Sequence, residues 1–134
     1  MRGIIFSDLG QASSFMALDW VQEALKKSLG FTPFPATLNV HPEGEADARV
    51  WAAIQAEWSG IALPPVNGQF CRARLYPIEV KGPSNGGNDK SSGAVLVPDV
   101  AAYPKDKIEI VAPVRLKSAL GVADGDLLTL EFVN

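Results

Sequence analysis

A threonine and an asparagine lie two residues apart in the segment FPATLNV, residues 34–40. Two nearby prolines disfavour a helix there, so the segment predicts a strand at about residues 36–41. Residues i and i+2 of a strand face the same side, which would place the oxygens of Thr37 and Asn39 together. Such a pair suits a magnesium ion that keeps most of its waters and is balanced by phosphates. The same side chains could simply close hydrogen bonds at a strand end, and the segment alone favours that reading.

A second candidate site is the segment SDLGQAS, residues 7–13. A turn with a glycine between a strand and a helix can aim backbone N–H groups at phosphates. The segment has a single glycine, however, and it lacks both the GxGxxG pattern and the lysine of a Walker A loop. By itself it favours an ordinary strand–helix turn.

The third candidate is the charged part of IEIVAPVRLKSALG, residues 108–121. Glu109 stands between two isoleucines and therefore faces away from them, either into solvent or into a pocket where it could accept hydrogen bonds from a ligand. Arg115 and Lys117 could meet phosphates as charges, although charged residues are more often solvated.

Composition narrows the function classes. A chain of 134 residues suits one domain, residues 1–134. The net charge of −3 without a basic block argues against nucleic-acid binding. Cys71 and His41 are the only residues of their types, which excludes an intrachain disulfide and most Ser/His/Asp, Cys/His and zinc arrangements. Neither a signal peptide nor a membrane-spanning run is recognisable, so a cytoplasmic protein without a membrane partner is expected.

Hydrophobic periodicity predicts the elements that must position these candidates. The helix at about residues 20–29 has the clearest spacing, with Asp19 and Gln22 as a capping box and Gly30 as its C-terminal glycine. A polar stretch, residues 81–93, reads as a loop, and GIALPPVNG reads as a connection. The fold class expected is mainly β with α decoration, a small closed barrel of about six strands with two or three helices. The other predicted elements are strands at about 3–7, 69–80, 94–98, 107–113 and 124–133, a helix at about 45–58 and a helical turn at about 114–121.

Four segments in order, SDLGQASSFMAL, LGFTPFPATLNV, GAVLVP and IEIVAPVRLKSALGVADGD, together resemble the archaeal CTP-dependent riboflavin kinases. The resemblance runs along nearly the whole chain and is strongest at TLN and at the last segment. It implies a six-stranded cradle-loop, RIFT-like barrel. It also implies transfer of the γ-phosphate of CTP to riboflavin, which gives FMN and CDP.

The resemblance also implies roles for single residues. Thr37 and Asn39 would bind Mg²⁺, Glu109 and Ala102 would contact the flavin, and Glu109 is the catalytic candidate. The nucleotide-binding residues implied are Asp8, Leu9, Gly10, Gln11, Ala12 and Ser13 in the glycine turn, and Val114, Arg115, Leu116 and Lys117 after the AP dipeptide.

Two other functions stay open. Asp8 and Ala12 stand where the family has glycines, which leaves a non-catalytic nucleotide- or flavin-binding regulatory domain as the alternative. The ending LGVADGDLLTLEF also resembles the hairpins of swapped-hairpin transcription factors, but the acidic balance counts against DNA binding. The partners expected are therefore small molecules, namely a nucleotide and riboflavin or another flavin.

Overall fold

The computed structural model describes residues 1–7, 18–63, 73–83, 90–99, 101 and 103–133. Within these ranges the chain forms seven strands and three helices. The strands are β1 (Arg2–Phe6), β2 (Leu38–Pro42), β3 (Ile61–Leu63), β4 (Ala73–Lys81), β5 (Lys90–Pro98), β6 (Ile108–Val111) and β7 (Leu127–Phe132). The helices are α1 (Asp19–Leu29), α2 (Glu45–Glu57) and α3 (Leu116–Leu120).

Six strands close into an antiparallel barrel. The order is β4-β5-β6-β2-β1-β7, and pairing of β7 with β4 completes the circuit. The prediction of a mainly β fold with a six-stranded barrel and α decoration is confirmed. The structure adds β3, which pairs with β4 outside this circuit. The prediction of GIALPPVNG as a connection missed β3, because three residues are too few to display an alternating pattern.

Strand β4 changes partner along one of its edges. Leu75 pairs with β3, whereas Ile78 pairs with β7. Pro77 lies at the change, where the missing N–H of proline costs no ladder hydrogen bond on that edge. Its carbonyl still accepts from the N–H of Val133 at 2.9 Å. This arrangement lets one strand serve both the barrel and the added strand.

The barrel interior is apolar, and α2 packs against it. Trp51 of α2 is 2% exposed and stacks on Phe132, with ring centroids 5.6 Å apart. The same indole lies nearly perpendicular to the ring of Tyr76, with the ring centroids also 5.6 Å apart. Alternation puts every second residue of each strand into this interior. The residues on the outer face need a separate cover.

Helix α1 supplies that cover on one side. Val21 and Leu25 are buried against Leu75, Ala94, Leu96 and Val111, a cluster distinct from the interior one. Gly30 ends the helix in the left-handed conformation with φ of 81°, as predicted. The predicted capping box is wrong: Leu18 is the N-cap and no side chain caps the helix. Asp19 instead lies in the first turn, where its negative charge interacts favourably with the helix dipole.

Strand β5 begins earlier than predicted. The polar stretch read as a loop contains its first residues, because Lys90 pairs with Lys81 and its ammonium lies 3.2 Å from the Glu79 carboxylate. Cross-strand pairing therefore overrides the polar composition. Gly93, in the same stretch, is buried, and a Cβ there would lie 2.7 Å from the carbonyl oxygen of Val111. Only glycine allows β5 to approach β6 this closely.

Candidate phosphate and metal site

The TLN segment enters the barrel as β2. The N–H of Phe34 donates to the carbonyl of Ala112 at 2.7 Å, which fixes the approach of the chain along the segment after β6. Leu38 pairs with Ile110 and both belong to the interior core. Asn39 therefore faces outward, as alternation requires. The strand begins at Leu38 rather than at residue 36, so Thr37 lies immediately before it.

Asn39 lies in a row of residues on the outer face of the barrel. Its register partners are Phe6 on β1 and Glu109 on β6. The side chain is 9% exposed, and its Oδ1 atom is buried with no hydrogen-bond partner among the described residues. An unsatisfied buried acceptor costs roughly 1–3 kcal/mol. Native folds rarely keep such an atom without an explanation, and a ligand or an ion is one.

The chemistry of these residues fits a hard cation. Thr37 offers a hydroxyl and Asn39 an amide oxygen, both neutral oxygen ligands of the kind that Mg²⁺ accepts beside water and phosphate. The described ranges contain no group of three or more His, Cys, Asp or Glu side chains that could hold a metal. A cation here would therefore depend on a bound ligand for much of its charge balance.

A cavity of about 150 Å³ brings Thr37 together with the segment that follows β6. This volume is well below the 300–1,000 Å³ typical of pockets that enclose a whole small ligand. It suits a phosphate group and some water rather than an entire nucleotide. The lining includes five residues that the sequence singled out: Thr37, Val114, Arg115, Leu116 and Lys117. Asn39 does not line this cavity.

Two cations flank the cavity. Arg115 is exposed, and its Nη1 donates to the hydroxyl of Ser118 at 2.7 Å. Lys117 is half-buried, with its ammonium 2.9 Å from Oδ1 of Asp124. Asp124 also accepts a short hydrogen bond from the Ser7 hydroxyl. The Ser7 hydrogen bond, followed by that of Lys117, holds the pKa of the Asp124 carboxyl below its usual 3.8, so this carboxylate is charged at neutral pH.

Glu109 is buried rather than solvated. Its side chain is 11% exposed, and Oε1 lies 3.1 Å from the ammonium of Lys107. That ammonium also lies 5.8 Å from the centre of the Tyr103 ring. Of the two positions that the sequence allowed for Glu109, the solvated exterior is wrong, because all four residues of β6 are buried. Glu109 is instead the register partner of Asn39 in the outer row.

The structure thus brings together only some of the candidate site residues predicted from the sequence. It joins Thr37 to residues 114–117, and it pairs Asn39 with Glu109. Residues 8–13 and Ala102 lie outside the described residues. Two contributors were missed, namely Lys107 and Asp124, and Ser7 lay within the candidate glycine turn without a role of its own. Lys107 stands two residues before Glu109, so strand alternation could have placed the two side chains on one side, whereas the contact of Asp124 with Ser7 depends on tertiary packing.

Comparison with known proteins identifies the family. The family model for the CTP-dependent riboflavin kinase domain, described as a domain of unknown function (DUF120), matches residues 5–132. Riboflavin kinase of Methanocella arvoryzae is 34% identical over 127 residues, covering 94% of this chain and 53% of that protein. Riboflavin kinase of Pyrobaculum calidifontis is 34% identical over 139 residues, covering 96% and 58%. That of Aeropyrum pernix is 33% identical over 127 residues, covering 93% and 89%.

The chain belongs to the CTP-dependent riboflavin kinase family. It spans between half and three fifths of the length of the Methanocella and Pyrobaculum proteins, and most of the Aeropyrum protein. No helix within the described ranges has the length and apolar character to cross a membrane.

Proposed function

We propose that this chain is a riboflavin kinase that transfers the terminal phosphate of a nucleoside triphosphate to the 5′-hydroxyl of riboflavin. The family relationship supports this reaction class. The observation that carries the proposal for this chain is the buried Oδ1 of Asn39, an acceptor without a partner among the described residues, beside the carboxylate-bearing Glu109. A bound cation would satisfy Oδ1 of Asn39, and the 5′-hydroxyl of riboflavin would donate a hydrogen bond to the carboxylate of Glu109.

The finer proposal names CTP as the donor and Mg²⁺ as the metal. Thr37 and Asn39 would hold the ion, which when bound neutralises phosphate charge. Arg115 and Lys117 add two positive charges at the phosphate-sized cavity. The donor choice follows the family relationship, since the cavity described here has room for phosphate but not for a base.

Bond changes in the reaction balance without covalent catalysis. The 5′-oxygen of riboflavin bonds to the γ-phosphorus as the bond from that phosphorus to the β–γ bridging oxygen breaks. The nucleoside diphosphate leaves with the electron pair, and the hydroxyl proton passes to the carboxylate of Glu109. Phosphoryl transfer depends mainly on in-line placement and charge neutralisation. The proposed contributors, the cations of Arg115 and Lys117 and the carboxylate of Glu109, are of the types that this chemistry requires.

A direct assay tests the reaction. The purified chain is incubated with riboflavin, Mg²⁺ and either CTP or ATP, and FMN is measured by chromatography. We expect FMN to form faster with CTP. Thr37→Val should lower the rate of FMN formation by at least roughly 10–100-fold. Losses of that size are typical when a residue that supports a metal ligand is changed, and Thr37 would be a ligand itself. The control, Glu131→Gln, removes an exposed ion pair with Lys81 outside the cavity lining and should leave the rate unchanged.

Glu109→Gln separates chemistry from binding. It keeps the shape of the side chain but removes the basic carboxylate, so FMN formation should fall by roughly 10²–10⁴-fold while nucleotide affinity persists. Tight flavin binding without FMN formation from any nucleoside triphosphate would show a binding domain and reject the kinase proposal.

A further inference from the structure

Asp124 connects two parts of the chain at the edge of the phosphate-sized cavity. One oxygen, Oδ1, accepts from the Lys117 ammonium at 2.9 Å, and the other, Oδ2, accepts from the Ser7 hydroxyl. The Lys117 ammonium and the Ser7 hydroxyl oxygen are themselves 3.5 Å apart. Both carboxylate oxygens are thus engaged, and the carboxylate has little freedom to rotate.

The backbone around Asp124 is also fixed. The N–H of Gly125 donates to the carbonyl of Ile5 at 2.8 Å, and the N–H of Ile5 donates to the carbonyl of Asp126 at 2.9 Å. Asp126 closes the turn by accepting from the N–H of Ala123 at 2.9 Å. Gly125 has φ of 91°, a conformation that favours glycine. The carboxylate is therefore presented from a turn that is bonded to β1 rather than from a free loop.

The ion pair is too exposed to be explained by stability. The side chains of Lys117 and Asp124 are 28% and 49% exposed, and pairs of this kind contribute little to folding. Their place in the fold is more informative. Lys117 lines the cavity together with Thr37 and Arg115, and a lysine stem left alone has several rotatable bonds. A carboxylate fixed on two sides restricts that stem to one region.

We propose that Asp124 is a positioning residue, which holds the Lys117 ammonium at the cavity so that an entering phosphate group meets a cation already in place. Ser7 orients the carboxylate through its second oxygen. The inference rests on the proposed function, because the phosphate is taken to be that of a nucleotide. Asp124 itself does not touch the ligand and acts through Lys117.

The test is a double-mutant cycle on nucleotide affinity. CDP in excess Mg²⁺ is titrated calorimetrically into the wild-type chain, Asp124→Asn, Lys117→Met and the double variant. Asp124→Asn should weaken CDP binding by roughly three- to tenfold, the order expected from losing the preorganisation of one long side chain. In the Lys117→Met background the same change should have no effect. Asp124→Glu, which keeps the charge, should recover part of the affinity.

Glu131→Gln again serves as the matched control, since it removes a Lys–Glu pair whose side chains are 40% and 52% exposed. It should lower the melting temperature about as much as Asp124→Asn, yet leave CDP affinity unchanged. That comparison distinguishes positioning from a general loss of structure.

The possible failures are distinct. If the wild-type chain binds no CDP, CTP or ATP, the proposed function fails and takes this inference with it. If the wild-type chain binds CDP but Asp124→Asn binds it equally or more tightly, only the positioning role is wrong, and tighter binding would mean that the carboxylate competes with phosphate for Lys117. An equal loss in the Lys117→Met background would likewise reject action through Lys117.

Discussion

Replacing Asn39 by leucine distinguishes a structural asparagine from a ligand-binding one. The two side chains share the same γ-branched skeleton, so the change removes the polar atoms and keeps the branching, although leucine is the bulkier residue. The site is 9% exposed and lies between Phe6 and Glu109 in the strand register. Oδ1 of Asn39 has no hydrogen-bond partner among the described residues. The variant therefore deletes an acceptor whose burial is not compensated within that part of the chain.

The expected change in stability follows from that burial. Leaving a buried acceptor unsatisfied costs roughly 1–3 kcal/mol, and replacing it by an apolar group of the same shape is nearly neutral or stabilising. We expect Asn39→Leu to have an unfolding free energy equal to that of the wild type or about 1–2 kcal/mol higher. For a chain of 134 residues, each kcal/mol corresponds to about 3–5 °C in melting temperature.

Function should change in the opposite direction. With Mg²⁺ present and CDP at 100 times its dissociation constant, the unfolding free energy of the wild-type chain should rise by about 2.7 kcal/mol, because the ligand binds only the folded form. Asn39→Leu should gain almost nothing. Thermal and urea unfolding, each with and without ligand, measure both quantities.

Val40→Thr provides the opposite control. Val40 is the next residue of β2, faces the interior and is 0% exposed. A hydroxyl there is buried among apolar side chains and should destabilise the fold by roughly 1–3 kcal/mol. A loss of more than about 2 kcal/mol in Asn39→Leu would refute the reasoning, since it would mean that the amide closes structural hydrogen bonds. Retained stabilisation by Mg²⁺ and CDP would refute it equally.

Two further predictions concern the fold and its pH dependence. Gly93→Ala should lower the unfolding free energy by roughly 1–3 kcal/mol through overpacking, because its Cβ would lie 2.7 Å from the Val111 carbonyl oxygen; the exposed neighbour Ser92→Ala is the control, and equal stabilities would contradict the close approach. Asp124 has a pKa below 3.8 in the folded chain, so its contribution is present above that pH and is lost as the pH falls through the folded pKa. The stability difference between wild type and Asp124→Asn should therefore shrink on acidification below pH 3.8, and a difference that grows would contradict this sign.

The local pattern of the sequence was enough for most of the barrel. Alternating apolar residues located the strands, helical spacing located α1 and α2, and Gly30 marked a helix end that the structure has. These features depend on residues close together in the chain, which is why periodicity reveals them. β3 and the first residues of β5 were missed, because their partners on β4, not their own composition, make them strands.

The family and the residue types available for chemistry could be inferred from the sequence. The order of the TLN segment and the EIVAP segment along the chain carried the resemblance, and the family comparison bears it out. It left open whether Glu109 faces solvent or a pocket. Pairing of β6 with β2 and the packing around it show that Glu109 is buried and lies opposite Asn39 in the strand register.

The contacts of Asp124 depend on long-range packing of the chain. Ser7 and Lys117 are 110 positions apart in the sequence. No local pattern links a serine just after the first strand to a turn just before the last strand. Antiparallel pairing of β1 with β7 brings Ser7 close to the turn that carries Asp124. A sequence pattern records which side a residue faces, whereas contacts between distant segments depend on how the strands are ordered and paired, and the closed barrel supplies that order.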